Sequence, residues 1–132
     1  MKQRYSTHYF PAAPVLEVSF ISTQTGESVG PFTALVDTGT DVTAVTMSVV
    51  QALQAPLARQ AFVEAHWGER LRVSLFILDL HIGTWIVPGL DVIGDSRGQE
   101  VIVGRDVPNK LWLGLDGPAQ ITEVVEKRSH RK

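Results

Sequence analysis

An apolar stretch that runs directly into an acidic residue constrains this chain more than any other feature of its sequence. Its residues are Ala34-Leu35-Val36-Asp37-Thr38-Gly39-Thr40. Three consecutive apolar residues indicate a buried strand, so the Asp37 carboxylate comes out at the edge of a core, where a charge is costly unless it is hydrogen-bonded or functional. Gly39 allows the backbone to turn sharply and another molecule to approach closely. We therefore expect the chemistry of this protein at the end of this strand.

Short strands dominate the predicted secondary structure. Apolar and polar residues alternate at 16–20, and turn residues at 24–28 precede a return strand at 32–36 that delivers Asp37. Two long strands, at 59–65 and 70–80, have the pattern of a hairpin. Further strands are predicted at 42–46, 81–87, 90–93 and 101–103, and a closing hairpin at 111–115 and 121–125. The pattern indicates a mostly β, barrel-like domain.

Helix is predicted at two places only. Ser48 is expected to cap a short helix that ends at Leu53, and Asp106 is expected to cap a second one with Pro108 in its first turn. Residues 1–14 are expected to form an irregular arm, because their two prolines cannot donate to a sheet ladder.

Two segments resemble motifs of retropepsin-like aspartic proteases. The first is similar to the active-site signature of that family, which is two apolar residues, Asp-Thr-Gly, a small residue and often Asp: here Leu35-Val36-Asp37-Thr38-Gly39-Thr40-Asp41. The second resembles the segment that packs behind the catalytic loop in the family and opens its C-terminal helix: here Val101-Ile102-Val103-Gly104-Arg105-Asp106. The order and spacing of the two motifs agree with the family over residues 15–125.

The resemblance implies a closed, barrel-like retropepsin fold with one short C-terminal helix, in a chain that is active as a homodimer. An aspartic protease needs two carboxylates that share one proton, and this chain has a single Asp-Thr-Gly. The nearest second candidate, Asp95-Ser96-Arg97, lacks the glycine. The implied enzyme is an endopeptidase whose water is activated by two Asp37 carboxylates, one per subunit, in a protease domain at 15–125 between the arm (1–14) and a basic tail (126–132).

The resemblance also assigns roles within the site. Catalytic roles fall on Asp37, Thr38 and Gly39, and Gly104 and Arg105 are implied as structural support. The expected substrate contacts are Thr40, Asp41, His66, Trp67 and Gly68, the last three at the tip of a hairpin that covers substrate in the family. Arg105 is expected to pair with Asp41 behind the site, where partial desolvation would make the pair valuable. Thr40 departs from the usual Ala or Ser, and the chain continues past its last helix as in bacterial members and ubiquitin-shuttle proteins.

Composition excludes other classes of function. The chain of 132 residues suits one domain, and 44% hydrophobic residues are enough for a core. It has no cysteine, no apolar N-terminal signal and no apolar run of membrane-spanning length, so we expect a cytoplasmic protein. Residues 5–125 carry six basic and thirteen acidic side chains, a difference of −7, which argues against nucleic acid as a partner. The four histidines lack the spacing of a metal site, and no cofactor is expected.

Two alternatives remain open at this level. The chain is either a protease or a catalytically inactive relative that binds peptides or serves as a dimerisation module, because a fold does not establish an activity. For Asp37 itself, the alternative to a catalytic role is a buried turn carboxylate that is satisfied by backbone amides. Phosphoryl chemistry at Asp-Thr-Gly-Thr is disfavoured, because strands follow strands here and no glycine-rich phosphate loop with lysine is present.

Overall fold

Ten strands carry the fold of residues 1–64 and 68–125, the part of the chain that the computed structural model describes. They are β1 (Lys2–Arg4), β2 (Val15–Ile21), β3 (Ser28–Val36), β4 (Ala44–Thr46), β5 (Leu57–Glu64), β6 (Arg70–Ile82), β7 (Trp85–Asp95), β8 (Ile102–Val103), β9 (Trp112–Asp116) and β10 (Ile121–Val125). One α-helix, α1 (Met47–Ala52), and one 3-10 helix (Pro108–Lys110) accompany them. The predicted mostly β architecture is confirmed.

Alternating side chains produce the hairpin that leads to Asp37. In β2, Leu16, Val18 and Phe20 are at most 1% exposed, whereas Glu17 between them is exposed. β3 returns antiparallel to β2 and is most buried at its end. The strand therefore enters the core as it approaches the acidic residue, as its apolar sequence predicts.

The main sheet brings the two sequence motifs together. Its seven strands have the order β2-β3-β8-β4-β7-β6-β5, and β2 pairs in addition with β6. β3 and β8 run parallel, with Leu35 opposite Ile102 and Val36 opposite Val103. A separate three-stranded sheet has the order β1-β10-β9. The segment before Asp37 and the segment before Gly104 are thus neighbouring parallel strands whose carboxyl ends lie side by side.

The core fills the space between these strands and α1. Val49 and Val50 of α1 pack against it, and β10 contributes Val124. Fully buried side chains come mainly from the central strands: Phe20, Leu16, Val18, Val45, Leu78, Leu80, Ile82, Val92 and Val103. The catalytic candidate therefore stands on a well-packed base rather than on a free loop.

The start of α1 differs from the prediction. Thr46, rather than Ser48, occupies the N-cap position, without a side-chain capping bond. The reason is that β4 continues through Thr46, which pairs with Asp95 of β7. The helix starts directly from the strand, so Ser48 falls in its first turn and its hydroxyl lies 2.9 Å from that of Thr46.

The predicted C-terminal helix is a single turn of 3-10 helix. Val107 takes the N-cap position and Pro108 begins the turn. Asp106 is not the cap, because its carboxylate accepts hydrogen bonds from Thr43 instead. No helix among the described residues is long and apolar enough to cross a membrane.

The N-terminal residues are more regular than predicted. Lys2–Arg4 forms β1, which pairs with β10, and a bridge joins Ser6 to Ala13. The Tyr9 hydroxyl donates a hydrogen bond to the Glu100 carboxylate. That hydrogen bond, with burial and the negative charge of Glu100, raises the pKa of Tyr9 to about 12. The two prolines permit this arrangement because the residues that pair, in β1 and at positions 6 and 13, are not prolines and keep their backbone N–H groups.

Candidate active site

Asp37 emerges from β3 between two neighbouring segments. Its backbone N–H donates to the carbonyl of Val103 at 3.0 Å, which extends the parallel pairing with β8 by one residue. The N–H of Val36 donates to the carbonyl of Pro14 on the other side, also at 3.0 Å. The backbone at Asp37 is therefore fixed by the sheet, and the side chain is half-buried at its edge.

Both carboxylate oxygens of Asp37 are held by the turn that follows. Oδ1 accepts the backbone N–H of Gly39 at 3.0 Å, and Oδ2 accepts the hydroxyl of Thr40 at 2.9 Å. The N–H of Thr40 also donates to the carbonyl of Asp37 at 3.1 Å, which closes the turn. Both donors to the carboxylate are neutral groups, so they fix its orientation without adding a formal charge.

A buried network supports this turn from behind. The Thr43 hydroxyl donates to Oδ1 of Asp106 at 2.8 Å and accepts the N–H of Gly104 at 3.1 Å. The Thr43 backbone N–H donates to the other Asp106 oxygen at 3.1 Å, and Thr43 is fully buried. The N–H of Arg105 donates to the carbonyl of Thr40 at 2.7 Å. The loop after Asp37 is thereby joined to the segment after β8 at several points.

Gly104 is required for this close contact. A Cβ at this buried position would lie 2.7 Å from the Val42 carbonyl carbon and 3.0 Å from the Thr40 oxygen. The first distance is shorter than real Cβ contacts and the second is tighter than most of them, and both neighbours are backbone atoms that have little freedom to move. The glycine of the second motif therefore allows the two segments to touch.

The predicted ion pair between Arg105 and Asp41 is present, and the Arg105 guanidinium also donates to the Thr38 carbonyl at 3.2 Å. The prediction that the pair is partly desolvated is wrong for the single chain, because the side chain of Arg105 is 48% exposed and that of Asp41 is 77% exposed. Arg105 extends over the outer surface of the loop, whereas Asp106 turns inward. The loop is instead supported from behind by Asp106, which is half-buried and accepts hydrogen bonds from Thr43.

The hairpin formed by β5 and β6 is confirmed, with Glu64 opposite Arg70. Gly68 beyond it is exposed and has a φ of +82°, a left-handed conformation that favours glycine. His66 and Trp67 lie outside the described residues. Thr38 and Gly39 are exposed beside the half-buried Thr40.

An open recess of about 500 Å³ adjoins the loop at the base of this hairpin. Val42 and Leu75 contribute apolar surface, and Arg59, Asp91 and Lys110 contribute charged groups. Among residues 1–64 and 68–125 no three potential ligands from His, Cys, Asp and Glu are grouped as a metal site would require.

Sequence reasoning missed Thr43 as a site residue and gave Asp106 a different role. Thr43 is one polar residue within the β-branched segment 42–46, so its residue type fits a strand and gives no sign of a hydrogen-bonding role. The position of Asp106 directly after the Gly-Arg pair of the second motif could have indicated a role in the site. An acidic residue shortly before a proline also fits a helix cap, however, and that role was predicted instead.

Comparison with solved structures places this geometry in a known fold. A retropepsin-like aspartic protease from Rickettsia conorii aligns with a TM-score of 0.60 at 11% identity, covering 92% of this chain and 86% of that protein. EIAV protease, in complex with an inhibitor, aligns with a TM-score of 0.54 at 17% identity, covering 82% and 93%. At the level of sequence, no protein-family model and no curated protein matches. The chain has the retropepsin-like fold that its two motifs predict.

Proposed function

We propose that this protein is an aspartic endopeptidase that acts as a homodimer and contributes one Asp37 from each subunit. The observation that carries the proposal is the state of the Asp37 carboxylate. It is half-buried at the end of a core strand, and both of its oxygens are oriented by neutral donors, Gly39 and Thr40. Such a carboxylate is held in one geometry while it remains free to exchange a proton with a second acid.

The second carboxylate is supplied by another copy of the chain. Asp-Thr-Gly occurs once in the sequence, and Asp95 is engaged in its own turn, where its Oδ1 accepts the N–H of Arg97 at 2.9 Å. Two like-charged carboxylates in close contact cannot both ionise, so one Asp37 is protonated and its mate is ionised.

The reaction uses these two states in turn. The ionised Asp37 takes a proton from water, whose oxygen attacks the peptide carbonyl carbon, while the protonated Asp37 donates its proton to the carbonyl oxygen. The tetrahedral intermediate collapses when the Asp37 that took the proton from water donates it to the amide nitrogen, the other Asp37 takes a proton from one hydroxyl of the intermediate, and the carbon–nitrogen bond breaks. The products are a carboxylic acid and an amine, and the pair returns to one shared proton.

The surroundings of Asp37 suit an extended polypeptide as substrate. Gly39 leaves open backbone beside the carboxylate, and Thr40, Asp41 and Gly68 are proposed to contact substrate together with His66 and Trp67. The β5–β6 hairpin is proposed to cover the bound chain and exclude water.

Replacing the carboxylate tests the proposal. Asp37→Asn should lower the cleavage of a peptide library by about 100-fold to 10,000-fold or more, since general acid–base catalysis contributes that much. Asp95→Asn is the matched control and should retain activity. Library digests from acidic to neutral pH, read by mass spectrometry, should give a bell-shaped profile for wild type.

Mixing subunits tests the dimer. Excess Asp37→Asn chains should inhibit wild type by forming dimers with one carboxylate; at a threefold excess, random pairing leaves about a quarter of wild-type subunits with a wild-type mate. Cleavage by a monomer at a specific rate independent of concentration would contradict the proposal. Peptide binding without cleavage in wild type, unchanged in Asp37→Asn, would instead identify an inactive peptide-binding module.

A further inference from the structure

Asp37 shares one face of the main sheet with two half-buried apolar side chains. Ala34 and Val36 of β3 belong to the core. Because side chains alternate along a strand, Leu35 and Asp37 lie on the opposite face. Ile102 of β8 pairs with Leu35 and lies on that face too, and both are half-buried. The Leu35 and Ile102 side chains thus form an apolar strip beside Asp37.

Glu100 stands at the far end of this apolar strip. It directly precedes Val101, whose carbonyl accepts the N–H of Leu35 at 3.0 Å and whose side chain belongs to the core. By the same alternation Glu100 lies on the face of Ile102, and it is exposed. Along the parallel register it is four positions from Asp37, or about 13 Å, which is the length of about four residues of an extended peptide.

The N-terminal arm ties Glu100 to the other side of β3. The Tyr9 hydroxyl donates a hydrogen bond to the Glu100 carboxylate. The arm leads into β2, and β2 and β8 flank β3 on opposite sides. Val15 of β2 pairs with Leu35 on the face of the apolar strip, yet it is only 1% exposed, so the chain covers that face at the end of the arm. The Tyr9–Glu100 hydrogen bond therefore spans β3 beside the apolar strip.

The Glu100 carboxylate is oriented by Tyr9 and keeps further capacity to bind. The hydrogen bond, burial and the charge of Glu100 raise the pKa of Tyr9 to about 12, so the hydroxyl remains a donor at neutral pH. An ionised carboxylate offers about four acceptor sites, of which Tyr9 occupies one. The exposed carboxylate can thus accept a second donor while Tyr9 holds it in place.

The apolar strip and the acid at its end match the shape and chemistry of a basic side chain. Lysine and arginine lay their apolar stems along apolar surface and keep the charged head at its border. Leu35 and Ile102 offer that surface, and the Glu100 carboxylate offers a partner for the head. A neutral polar side chain would use only part of this arrangement.

We propose that Glu100 selects substrates that carry lysine or arginine within about four residues of the scissile bond, and that Tyr9 is the residue that positions it. The assignment rests on the proposed function, because it requires a peptide bound at Asp37. In a two-fold symmetric dimer each subunit contributes one Glu100, so the preference applies on both sides of the scissile bond.

Two matched peptides test the assignment. Both have a sequence that the wild type cleaves, and one position near the scissile bond is either lysine or norleucine, which keeps the apolar stem but lacks the ammonium. The kcat/KM of wild type should be about twofold to fivefold higher for the lysine peptide, as for an exposed ion pair. The ratio should decrease when salt rises from about 0.05 to 0.5 M, because salt screens exposed charges.

Three variants locate the source of the ratio. Glu100→Gln should bring it to about one. Tyr9→Phe retains the ring and the charge of Glu100 but removes the hydrogen bond, so it should lower the ratio in part. Glu27→Gln is the matched control, since Glu27 is an equally exposed acid in the turn between β2 and β3, at the other end of that hairpin from Asp37, and it should leave the ratio unchanged.

The outcomes separate the selectivity from the activity. Equal cleavage of both peptides by wild type, or a lysine preference that survives Glu100→Gln, would overturn the role of Glu100 and leave the protease intact. A full preference in Tyr9→Phe would overturn the positioning role of Tyr9. A wild-type protein that cleaves no peptide of the library would overturn the proposed function itself.

Discussion

Replacing Thr43 with valine should destabilise the protein more than any change to the exposed ion pair of the same loop. Valine has nearly the same shape as threonine but lacks the hydroxyl. The Thr43 hydroxyl donates to Asp106 at 2.8 Å and accepts the Gly104 N–H at 3.1 Å in a fully buried position. The substitution therefore removes two hydrogen bonds and leaves a buried N–H without its partner.

The magnitude follows from those two losses. A hydrogen bond to a charged group contributes about 1.5–3 kcal/mol, and an unsatisfied buried donor costs about 1–3 kcal/mol. The Asp106 carboxylate keeps the Thr43 backbone N–H at 3.1 Å, so it remains partly satisfied. We expect Thr43→Val to lower the free energy of unfolding by about 3 kcal/mol. Misplacement of the Asp37 turn should also reduce peptide cleavage.

The chain contains its own control for this substitution. Thr122 is as fully buried as Thr43, yet its hydroxyl has no hydrogen-bond partner among the described residues. Thr122→Val should therefore be neutral or slightly stabilising. Urea unfolding of both variants at one chain concentration measures the difference, and constant concentration matters because association shifts apparent stability.

A double-mutant cycle assigns the loss to its partner. Thr43→Val combined with Asp106→Asn should cost less than the sum of the single changes, since both alter one hydrogen bond. Equal losses for the two threonine variants would show that buried volume, and not hydrogen bonding, determines the effect. Strict additivity with Asp106→Asn would show that the network does not couple the two segments.

Two further results are expected from the loop after Asp37 and the segment after β8 that contacts it. Arg105→Ala and Asp41→Ala should each cost only about 0–1 kcal/mol in urea unfolding, because both side chains are largely exposed to solvent; a loss above about 2 kcal/mol would contradict this. Gly104→Ala should cost about 1–3 kcal/mol or more through backbone overlap, whereas Gly117→Ala, where nothing lies within 4 Å, should change stability by less than about 0.5 kcal/mol. Equal thermal stability of the two alanine variants would refute the contact at Gly104.

Local patterns were enough to predict most of the strands. The alternation in β2 reflects a half-buried strand, and the apolar run before Asp37 reflects the burial of β3 at its end. The two segments that resemble protease motifs also proved to be neighbours, since the backbone N–H of Asp37 donates a hydrogen bond to the carbonyl of Val103. Periodicity and turn chemistry act over a few residues, so a single sequence displays them directly.

The parts that escaped prediction depend on distant contacts. The partner of Thr43 is Asp106, and no local pattern connects residues so far apart in the chain. The same contact explains why the predicted cap at Asp106 failed, since a carboxylate engaged by Thr43 is not available to the helix. The exposure of Arg105 is also a tertiary property, because it depends on which side of the loop the chain leaves uncovered.

Contacts within a single chain already hold Asp37 in place, and this determines what dimerisation has to add for activity. The sheet fixes its backbone, Gly39 and Thr40 orient its carboxylate, and the Thr43–Asp106 network holds the turn, all without a second copy. A loop that is already ordered has little conformational entropy left to lose when two copies associate. Association would then supply the missing carboxylate rather than build the loop, so dilution should remove activity while each chain keeps the fold of its active-site turn.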